Sequence, residues 1–336
     1  MTKLNRILVV LLVFQVALAA VVLWPRRATT EGSQSLFPDL EANRVVRATI
    51  TGPDGGQIEM AKEGADWVLP EADDYPVKSG EVSALLVKIA GLQTGQPVTE
   101  TSSSHERLGV AEDAFERMVV LEMDDGTRYT LFVGTSPSYG ATHIRADGQD
   151  QVYLTSDLLT SDVGVLPTDW ADRTYFSVPQ DQVMRLSLEN ENGEFVFVRM
   201  VSGGELAPVQ EIWSMADLAQ DETLNTTAVD TLLSRATSVL MQQPLGTEEK
   251  AEYGMDNPTA VVTLRTQSEE EGAKNYTLRV GARNPEDGSY VVISSESTYY
   301  VRVSEFTVQS FVENTRDDFL ELPPTPEATP EATPEG

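Results

Sequence analysis

The chain has 336 residues, a length typical of about two domains, and it carries 53 acidic against 24 basic residues for a net charge of −29. So acidic a surface repels phosphate backbones, which excludes nucleic acid as an expected partner. There is no cysteine, so a disulfide framework, a thiolate zinc site and a cysteine nucleophile are excluded.

The first 27 residues predict a membrane anchor. Residues 7–24 form an apolar run in which Gln15 is the only polar member, and a helix of that length spans roughly 27 Å, close to the thickness of a bilayer core. A signal peptide cleaved after the Ala-Leu-Ala triplet at 17–19 is the alternative. We expect an uncleaved single-pass anchor in the cytoplasmic membrane, with the soluble region on the extracytoplasmic side.

A polar tether is expected over residues 28–44, and strands joined by tight turns follow it. Turn sequences occur at Pro-Asp-Gly-Gly (53–56), Asp-Asp-Gly (124–126), Asp-Gly (147–148) and Asn-Gly (192–193). Asn, Asp and Gly adopt at low cost the positive φ angles that short hairpin turns need. The strand-like stretches on either side of each turn are therefore predicted to pair as antiparallel hairpins.

Two amphipathic helices are predicted, in the stretches EVSALLVKIAGL (81–92) and AVDTLLSRATSVL (228–240). In both, apolar residues recur at the i, i+3, i+4, i+7 spacing of one helix face. We expect Ser79 to cap the first helix and Asn225 or Thr226 to cap the second. The predicted buried faces are Val82, Leu85, Leu86, Ile89 and Leu92 in the first helix, and Val229, Leu232, Leu233, Ala236 and Leu240 in the second.

Similar motifs recur in the same order in the two halves of the chain. YTLFVG ends at Gly134 and YTLRVG ends at Gly281, while Trp67 has a counterpart in Trp213. RLGV at 107–110 precedes the first of these strands and EYGM at 252–255 precedes the second. This ordered series predicts a tandem duplication, with one α+β repeat over residues 45–179 and another over residues 183–323.

The two glycines that end the matching strands are predicted to lie at turn positions that leave no room for a Cβ atom. A phosphate-binding loop would need several glycines before a helix N-terminus. The segments after Gly134 and Gly281 lead into further strands instead, so we favour a structural role.

Candidate chemical groups are few and lack the spacing of known sites. His105 lies in a polar loop and His143 in a predicted strand, and neither belongs to a His-Glu-x-x-His pattern. The pairs Asp73-Asp74 and Asp124-Asp125 are candidates for weak divalent-ion binding, but the alternating ligands of a calcium loop are missing. The sequence therefore predicts no catalytic residue, no metal site and no cofactor.

Two further features concern the surface. Asn225 and Asn275 begin Asn-x-Thr sequons, which are potential glycosylation acceptors. Residues 324–336 consist almost entirely of Pro, Glu, Ala and Thr. Because such a segment cannot bury apolar surface, we expect it to be an extended, disordered tail.

The anchor, the stretches RVVRATITGPDG, ADWVLPE and SGEVSALLVKIAGLQ, and the motifs ERLGV and YTLFVG give the chain a family resemblance. Over roughly residues 40–320 it resembles a bacterial family known as domain of unknown function 4340. The resemblance implies a membrane-anchored protein, often encoded near ABC-type transporters and gliding-motility-like components. It implies an accessory role in a membrane complex and brings no catalytic residues with it.

We therefore expect an α+β extracytoplasmic protein built of two similar modules, each a mainly antiparallel sheet with one principal amphipathic helix. The expected function is non-enzymatic binding or scaffolding within an envelope or transporter-associated complex, whose other proteins are the expected partners. Two alternatives stand beside it: an enzyme acting on envelope polymers, and a small-ligand sensor or carrier with a pocket between the modules.

Overall fold

The computed structural model describes residues 34–202, 210–268 and 272–321. These residues form mostly antiparallel sheets with a few helices, so the predicted α+β class is confirmed for them. The predicted anchor (1–27) and the predicted tail (324–336) lie outside the described residues. Within the described ranges, no helix is both long enough and apolar enough to cross a membrane.

The first large sheet is built from residues 45–155. The strands of this half are β1 (Gln34–Ser35), β2 (Val45–Thr51), β3 (Gln57–Glu63), β4 (Asp66–Leu69), β5 (Tyr75–Pro76), β6 (Gln93–Thr94), β7 (Arg117–Met123), β8 (Arg128–Val133), β9 (Thr142–Ala146) and β10 (Tyr153–Thr155). The large sheet has the order β10-β9-β8-β7-β2-β3-β4-β5, and β1 pairs separately with β6.

The second large sheet follows from residue 174 onward. Its strands are β11 (Thr174–Ser177), β12 (Val183–Asn190), β13 (Gly193–Ser202), β14 (Gln210–Met215), β15 (Ser238–Gly246), β16 (Ala260–Ser268), β17 (Gly272–Arg283), β18 (Tyr290–Ser294) and β19 (Tyr300–Val303). Its order is β11-β15-β19-β18-β17-β16-β12-β13-β14. Seven strands of each sheet thus follow the same order, with β2 in the place of β12 and β7 in the place of β16.

All four predicted hairpins are present. β2 pairs with β3, β7 with β8, β9 with β10, and β12 with β13, each as antiparallel neighbours. The turn glycines Gly55, Gly126, Gly148 and Gly193 all have positive φ, which is the conformation that the turn sequences predicted.

The described helices are α1 (Glu81–Ala90), α2 (His105–Leu108), α3 (Pro167–Trp170), α4 (Thr226–Thr237) and α5 (Glu305–Val312). The predicted buried face of α1 is confirmed at all of its positions, and that of α4 at all but Leu240. Leu240 is 47% exposed because α4 ends at Thr237 and the chain continues as strand β15. The hydroxyl of Thr237 donates to the carbonyl of Leu233 at 2.8 Å in the last turn.

The predicted helix caps differ in outcome. Asn225 caps α4, since its side chain accepts a hydrogen bond from the backbone N–H of Ala228 at 3.2 Å. The prediction of Ser79 for α1 is wrong, because Gly80 occupies the N-cap with a φ of 84°. That left-handed conformation is open to glycine and strained for serine.

The segment 34–44, which the sequence places in the tether, contributes to the folded part. Leu36, Phe37 and Leu40 are buried, and the backbone N–H of Leu36 donates to Leu92 at 2.9 Å. Three apolar residues in a short segment interrupted by Pro38 are too few to establish a helical or a strand period, so the sequence pattern alone did not indicate their burial.

One continuous hydrophobic core lies on the helix side of both large sheets. It contains Ile89 of α1 and Leu121 of β7 together with Leu264 of β16 and Val308 of α5. The opposite face of each sheet, called its outer face, carries a small separate cluster. These outer clusters are Leu108, Val110, Phe132 and Val152 on the first sheet, and Tyr253, Met255, Val291 and Tyr300 on the second.

Candidate functional site

The matching glycines lie where two backbones touch. A Cβ atom on Gly134 would collide with the carbonyl oxygen of Leu108, and one on Gly281 would collide with that of Tyr253. The prediction that these positions exclude a Cβ is therefore confirmed, but a turn is not the reason. Gly281 lies inside β17, and the approach of the segment before β7 or β16 is what requires glycine.

An arginine fastens the same segment to the first sheet. Arg145 of β9 is only 3% exposed, and its Nε donates to the carbonyl oxygen of Val110 at 2.7 Å. Its Nη1 donates to the carbonyl of Gln149 at 3.1 Å, and its guanidinium stacks on the ring of Phe132, 4.4 Å from the centroid. Burial lowers the pKa of Arg145 against the opposing effect of nearby carboxylates.

Arg145 forms the floor of an open cleft of about 680 Å³. His105 also lines this cleft and is buried, with Nε2 at 2.9 Å from the carbonyl oxygen of Asp150. Exposed carboxylates surround the opening, so the cleft would attract cations and repel anions. The side chains that form the rim are Ser102, Ser103, Glu106, Glu112, Asp113 and Asp150.

The second sheet has a counterpart of Arg145 on a different strand. Arg279 of β17 donates from Nη2 to the carbonyl oxygen of Met255, and Met255 follows Gly254 as Val110 follows Gly109. Phe132 is directly opposite Arg145 in the first sheet, and Arg279 is directly opposite Ile293 in the second. In this cross-strand pair the arginine is on β9 in the first sheet, but in the second sheet it is on β17, which corresponds to β8. In both sheets it donates to the equivalent carbonyl, that of Val110 or of Met255.

The side chain of His143 is also hydrogen-bonded to a backbone carbonyl. Its Nδ1 lies 2.8 Å from the carbonyl oxygen and 3.1 Å from the Oγ1 of Thr135, and the ring is buried. The structure therefore does not bring the two predicted candidates His105 and His143 together at one reactive centre. Each binds a neighbouring loop.

The pair Asp73-Asp74 connects the two sheets. Asp73 Oδ2 accepts from the backbone N–H of Thr247 at 2.7 Å and from its hydroxyl at 3.1 Å, and these bonds lower the pKa of Asp73. Asp73 and Asp74 are the non-glycine residues with positive φ in the described part of the chain, at 53° and 60°. Such left-handed residues carry strain that the surrounding contacts must hold.

Three tyrosines pack beside this junction. The rings of Tyr75 and Tyr299 meet edge to face at 4.8 Å, and the hydroxyl of Tyr299 donates to the carbonyl of Asp74 at 3.2 Å. The hydroxyl of Tyr175 donates to the carbonyl of Tyr299 at 2.7 Å. Burial raises the pKa of Tyr75 to about 12, so at neutral pH the cluster is uncharged and the junction is a packed contact.

The second acidic pair faces an arginine. Arg44 Nη2 lies 2.7 Å from Asp124 and 2.8 Å from Asp125, at the tip of the β7–β8 hairpin. Among residues 34–202, 210–268 and 272–321, no group of three or more Asp, Glu or His side chains is arranged to hold a metal ion.

The two sequons differ in their surroundings. The side-chain amide of Asn225 donates to the carbonyl of Asp318 at 3.2 Å while its oxygen caps α4. Asn275 lies on β17 and is exposed. The amide nitrogen that glycosylation would modify is thus already engaged at Asn225.

The carboxyl groups with a shifted pKa are all shifted downward within the described ranges. A hydrogen bond from Arg316 lowers the pKa of Glu222 to about 2. The pKa values of Asp73, Asp125 and Asp287 are also lowered, by hydrogen bonds from Thr247, Thr127 and Ser289 respectively. These groups are acceptors that stay ionised at neutral pH, whereas a general acid requires a raised pKa.

Sequence reasoning missed Arg145 and the Asp73–Thr247 contact. The only local signal for Arg145 is a basic residue inside the otherwise uncharged strand THIRA, and the distance in sequence from 73 to 247 hides the second contact.

No curated protein and no solved structure matches the chain. A family model matches residues 67–242 and 213–322, and each range begins on a buried tryptophan, Trp67 or Trp213. Because these ranges cover more than half of the chain, the protein belongs to the family described as Domain of unknown function (DUF4340).

Proposed function

We propose that this protein is a non-enzymatic, membrane-anchored extracytoplasmic binding or scaffolding protein, an accessory subunit of an envelope or ABC-transporter-associated complex. Its soluble part would consist of two duplicated modules over residues 45–179 and 183–323. Support for the duplication comes from the shared order of seven strands and from the equivalent glycine contacts of Gly134 and Gly281. The start of each matched range on Trp67 or Trp213 is consistent with it.

The observation that carries the proposal is that three buried polar side chains and the exposed Asp73 are all bonded to backbone groups. Arg145, His105 and His143 are each bonded to a backbone carbonyl, and Asp73 binds the N–H of Thr247 across the two sheets. These side chains fix loops and join sheets, which is what a rigid scaffold requires. An active site instead needs polar groups left available to a substrate.

The two alternatives have less support from the geometry. An enzyme acting on envelope polymers would use a carboxylic acid with a raised pKa, and the shifted carboxyl groups of the described chain have lowered ones. A carrier with its pocket between the modules would need space where Tyr75, Tyr175 and Tyr299 make their contacts.

The anchor and its orientation remain part of the proposal, supported by the apolar run at 7–24. Protease added to intact spheroplasts should degrade the soluble region and leave a cytoplasmic marker protein intact. Protection of the soluble region until the cells are lysed would place it in the cytoplasm and contradict the proposed orientation.

The scaffolding role is tested by photo-crosslinking in native membranes. A photo-reactive residue replaces Ile212, which is 45% exposed on the edge strand β14, and the control carries it at Asp54 in an exposed hairpin turn. We expect Ile212 to crosslink to a defined envelope or transport protein that also copurifies with the chain. The same crosslinked proteins at both positions, or no crosslinked protein at Ile212, would count against the edge strand β14 as a binding site.

A further inference from the structure

The outer faces of the two sheets differ in their charge balance. On the first sheet, Arg47 forms an ion pair with Glu59 on the neighbouring strand. Arg128 forms another with Glu122 at 2.7 Å. Arg47 is also directly opposite Glu122 in the ladder. Arg47 and Arg128 therefore each have a carboxylate beside them.

The equivalent positions of the second sheet have lost both carboxylates. Arg185 takes the place of Arg47, and the residue directly opposite it is Arg265 instead of a glutamate. Val196 stands where the first sheet has Glu59. Both arginines are exposed, and neither forms an ion pair with any carboxylate of the described residues. Like charges directly opposite each other destabilise a sheet, so an anion bound between Arg185 and Arg265 would relieve their repulsion.

Apolar residues adjoin the two arginines. Val198 is opposite Arg185 in the ladder, and Met200 is opposite Ile212 nearer the edge. Met200 and Ile212 are 53% and 45% exposed. We call this surface the arginine face, consisting of Arg185, Arg265, Val198, Met200 and Ile212. It is a positive, partly apolar surface on a chain whose net charge is −29.

The last described residues lie on the helix side of the second sheet, where Phe319 packs against Phe195 and Phe197, and a segment that follows them reaches the arginine face by passing around the edge of the sheet. The backbone N–H of Glu321 donates to Thr223 at 2.8 Å, and Arg316 donates to the carbonyl of Asp217 at 3.0 Å. Asp217 is only two residues beyond the end of β14, and β14 is the edge strand that borders the arginine face. Residues 322–336 therefore begin beside this edge of the second sheet.

Length and charge suit the following segment to the face. Residues 322–336 include Glu327, Glu331 and Glu335 and no basic residue. Fifteen residues extended at about 3.1 Å each reach roughly 46 Å. The arginine pair lies on β12 and β16, and three strand spacings from β14 amount to about 14 Å.

We propose that the glutamates of residues 322–336 bind the arginine face of their own chain through Arg185 and Arg265. Covalent attachment gives the segment a high effective concentration at the face, which offsets the repulsion from the acidic remainder of the surface. While bound, the segment excludes an acidic partner from the same arginines. The contact is thus an intramolecular competitor for whatever protein binds this edge of the sheet.

The absence of cysteine from the chain makes a crosslinking test specific. We introduce Ser187→Cys on the outer face, two residues from Arg185, together with Ala328→Cys between two of the glutamates. After a fixed amount of the thiol oxidant diamide is added, we measure the initial rate of disulfide formation within the full soluble chain. The matched control is the same cysteine pair with Arg185→Gln and Arg265→Gln. A second control moves the first cysteine to Thr49, which occupies the position of Ser187 on the first sheet.

We expect the rate at low salt to fall about three- to tenfold when both arginines are replaced, which corresponds to the loss of one or two exposed ion pairs. The difference should vanish in 1 M salt, where charges are screened beyond about 3 Å. The Thr49→Cys control should be slow in both conditions. Equal rates with and without the arginines at low salt would overturn the proposal, and so would a product linked mainly between two chains. A thermal melt of each variant shows that all of them are folded.

Discussion

Gly134 and Leu108 are in contact through their backbones, and Gly281 and Tyr253 repeat that contact in the second sheet. The N–H of the next residue, Thr135, donates to the carbonyl of Leu108 at 2.9 Å. The segment before β7 is thereby held on the outer face of its sheet. Glycine is required because the oxygen of Leu108 occupies the place of a Cβ.

Replacing Gly134 with alanine should therefore destabilise the fold by about 1–3 kcal/mol, the usual cost of forcing atoms into a packed site. Gly281→Ala should cost a similar amount. Gly95→Ala is the control, since a Cβ there meets no atom within 4 Å. Urea unfolding measures all three, and a Gly134→Ala variant as stable as Gly95→Ala would contradict the close contact.

The exchanged arginines predict a compensating pair of substitutions. Arg145→Ile leaves the carbonyl of Val110 without its donor, which should cost about 1–3 kcal/mol. Adding Phe132→Arg reproduces the arrangement of Arg279 and Ile293 in the second sheet and should recover part of that loss. A double-mutant cycle measured by urea unfolding gives the coupling energy. Strictly additive effects would show that the two positions do not share one function.

The junction between the sheets should weaken in acid. The pKa of Asp73 is lowered in the folded state by its bonds from Thr247, so its contribution is present above the unfolded pKa of about 3.9. That contribution is lost as the pH falls through the lower folded value. Asp73→Asn should therefore reduce stability at pH 7 and reduce the loss of stability below pH 4.

The control for this titration is Asp74→Asn. Asp74 has the same left-handed backbone, but the hydrogen bond described for it uses its backbone carbonyl, which accepts from Tyr299. Thermal melts from pH 7 to pH 2.5 should separate the two variants. Identical pH profiles for Asp73→Asn and Asp74→Asn would show that the carboxylate of Asp73 does not stabilise the junction.

A buried hydroxyl on α5 offers a stabilising substitution. Ser310 Oγ is buried and has no hydrogen-bond partner among the described residues, so Ser310→Ala should stabilise the protein by about 1 kcal/mol. Thr237→Val is the matched control, because the Thr237 hydroxyl is also buried but is bonded to Leu233 at 2.8 Å. We expect opposite signs in urea unfolding. A loss of stability in Ser310→Ala would reveal a partner for its hydroxyl.

The elements that depend on local pattern were predictable from the sequence. The turn residues of the β2–β3 and β12–β13 hairpins require positive φ, and the spacing of Val82, Leu85, Leu86 and Ile89 identifies the buried face of α1. Such signals lie within a few residues of each other. They determine hairpins and helix faces independently of the remaining fold.

The errors occurred where a distant part of the chain decides the outcome. Leu240 follows the helical period of α4, but pairing with β11 draws it into a strand. Leu36 and Phe37 are buried because β1 finds β6 some sixty residues away. The candidate site was hidden for the same reason, since Arg145 meets Val110 only after the strand register brings them together.

The single core shared by both sheets determines how the protein should unfold and whether its halves can exist as separate fragments. Because Ile89 and Leu121 belong to the same buried cluster as Leu264 and Val308, separating the halves at residue 180 would expose apolar surface on each fragment. Heating should thus melt the intact chain in one calorimetric transition, and either fragment made alone should aggregate. The shared core should thus make each half depend on the other for solubility.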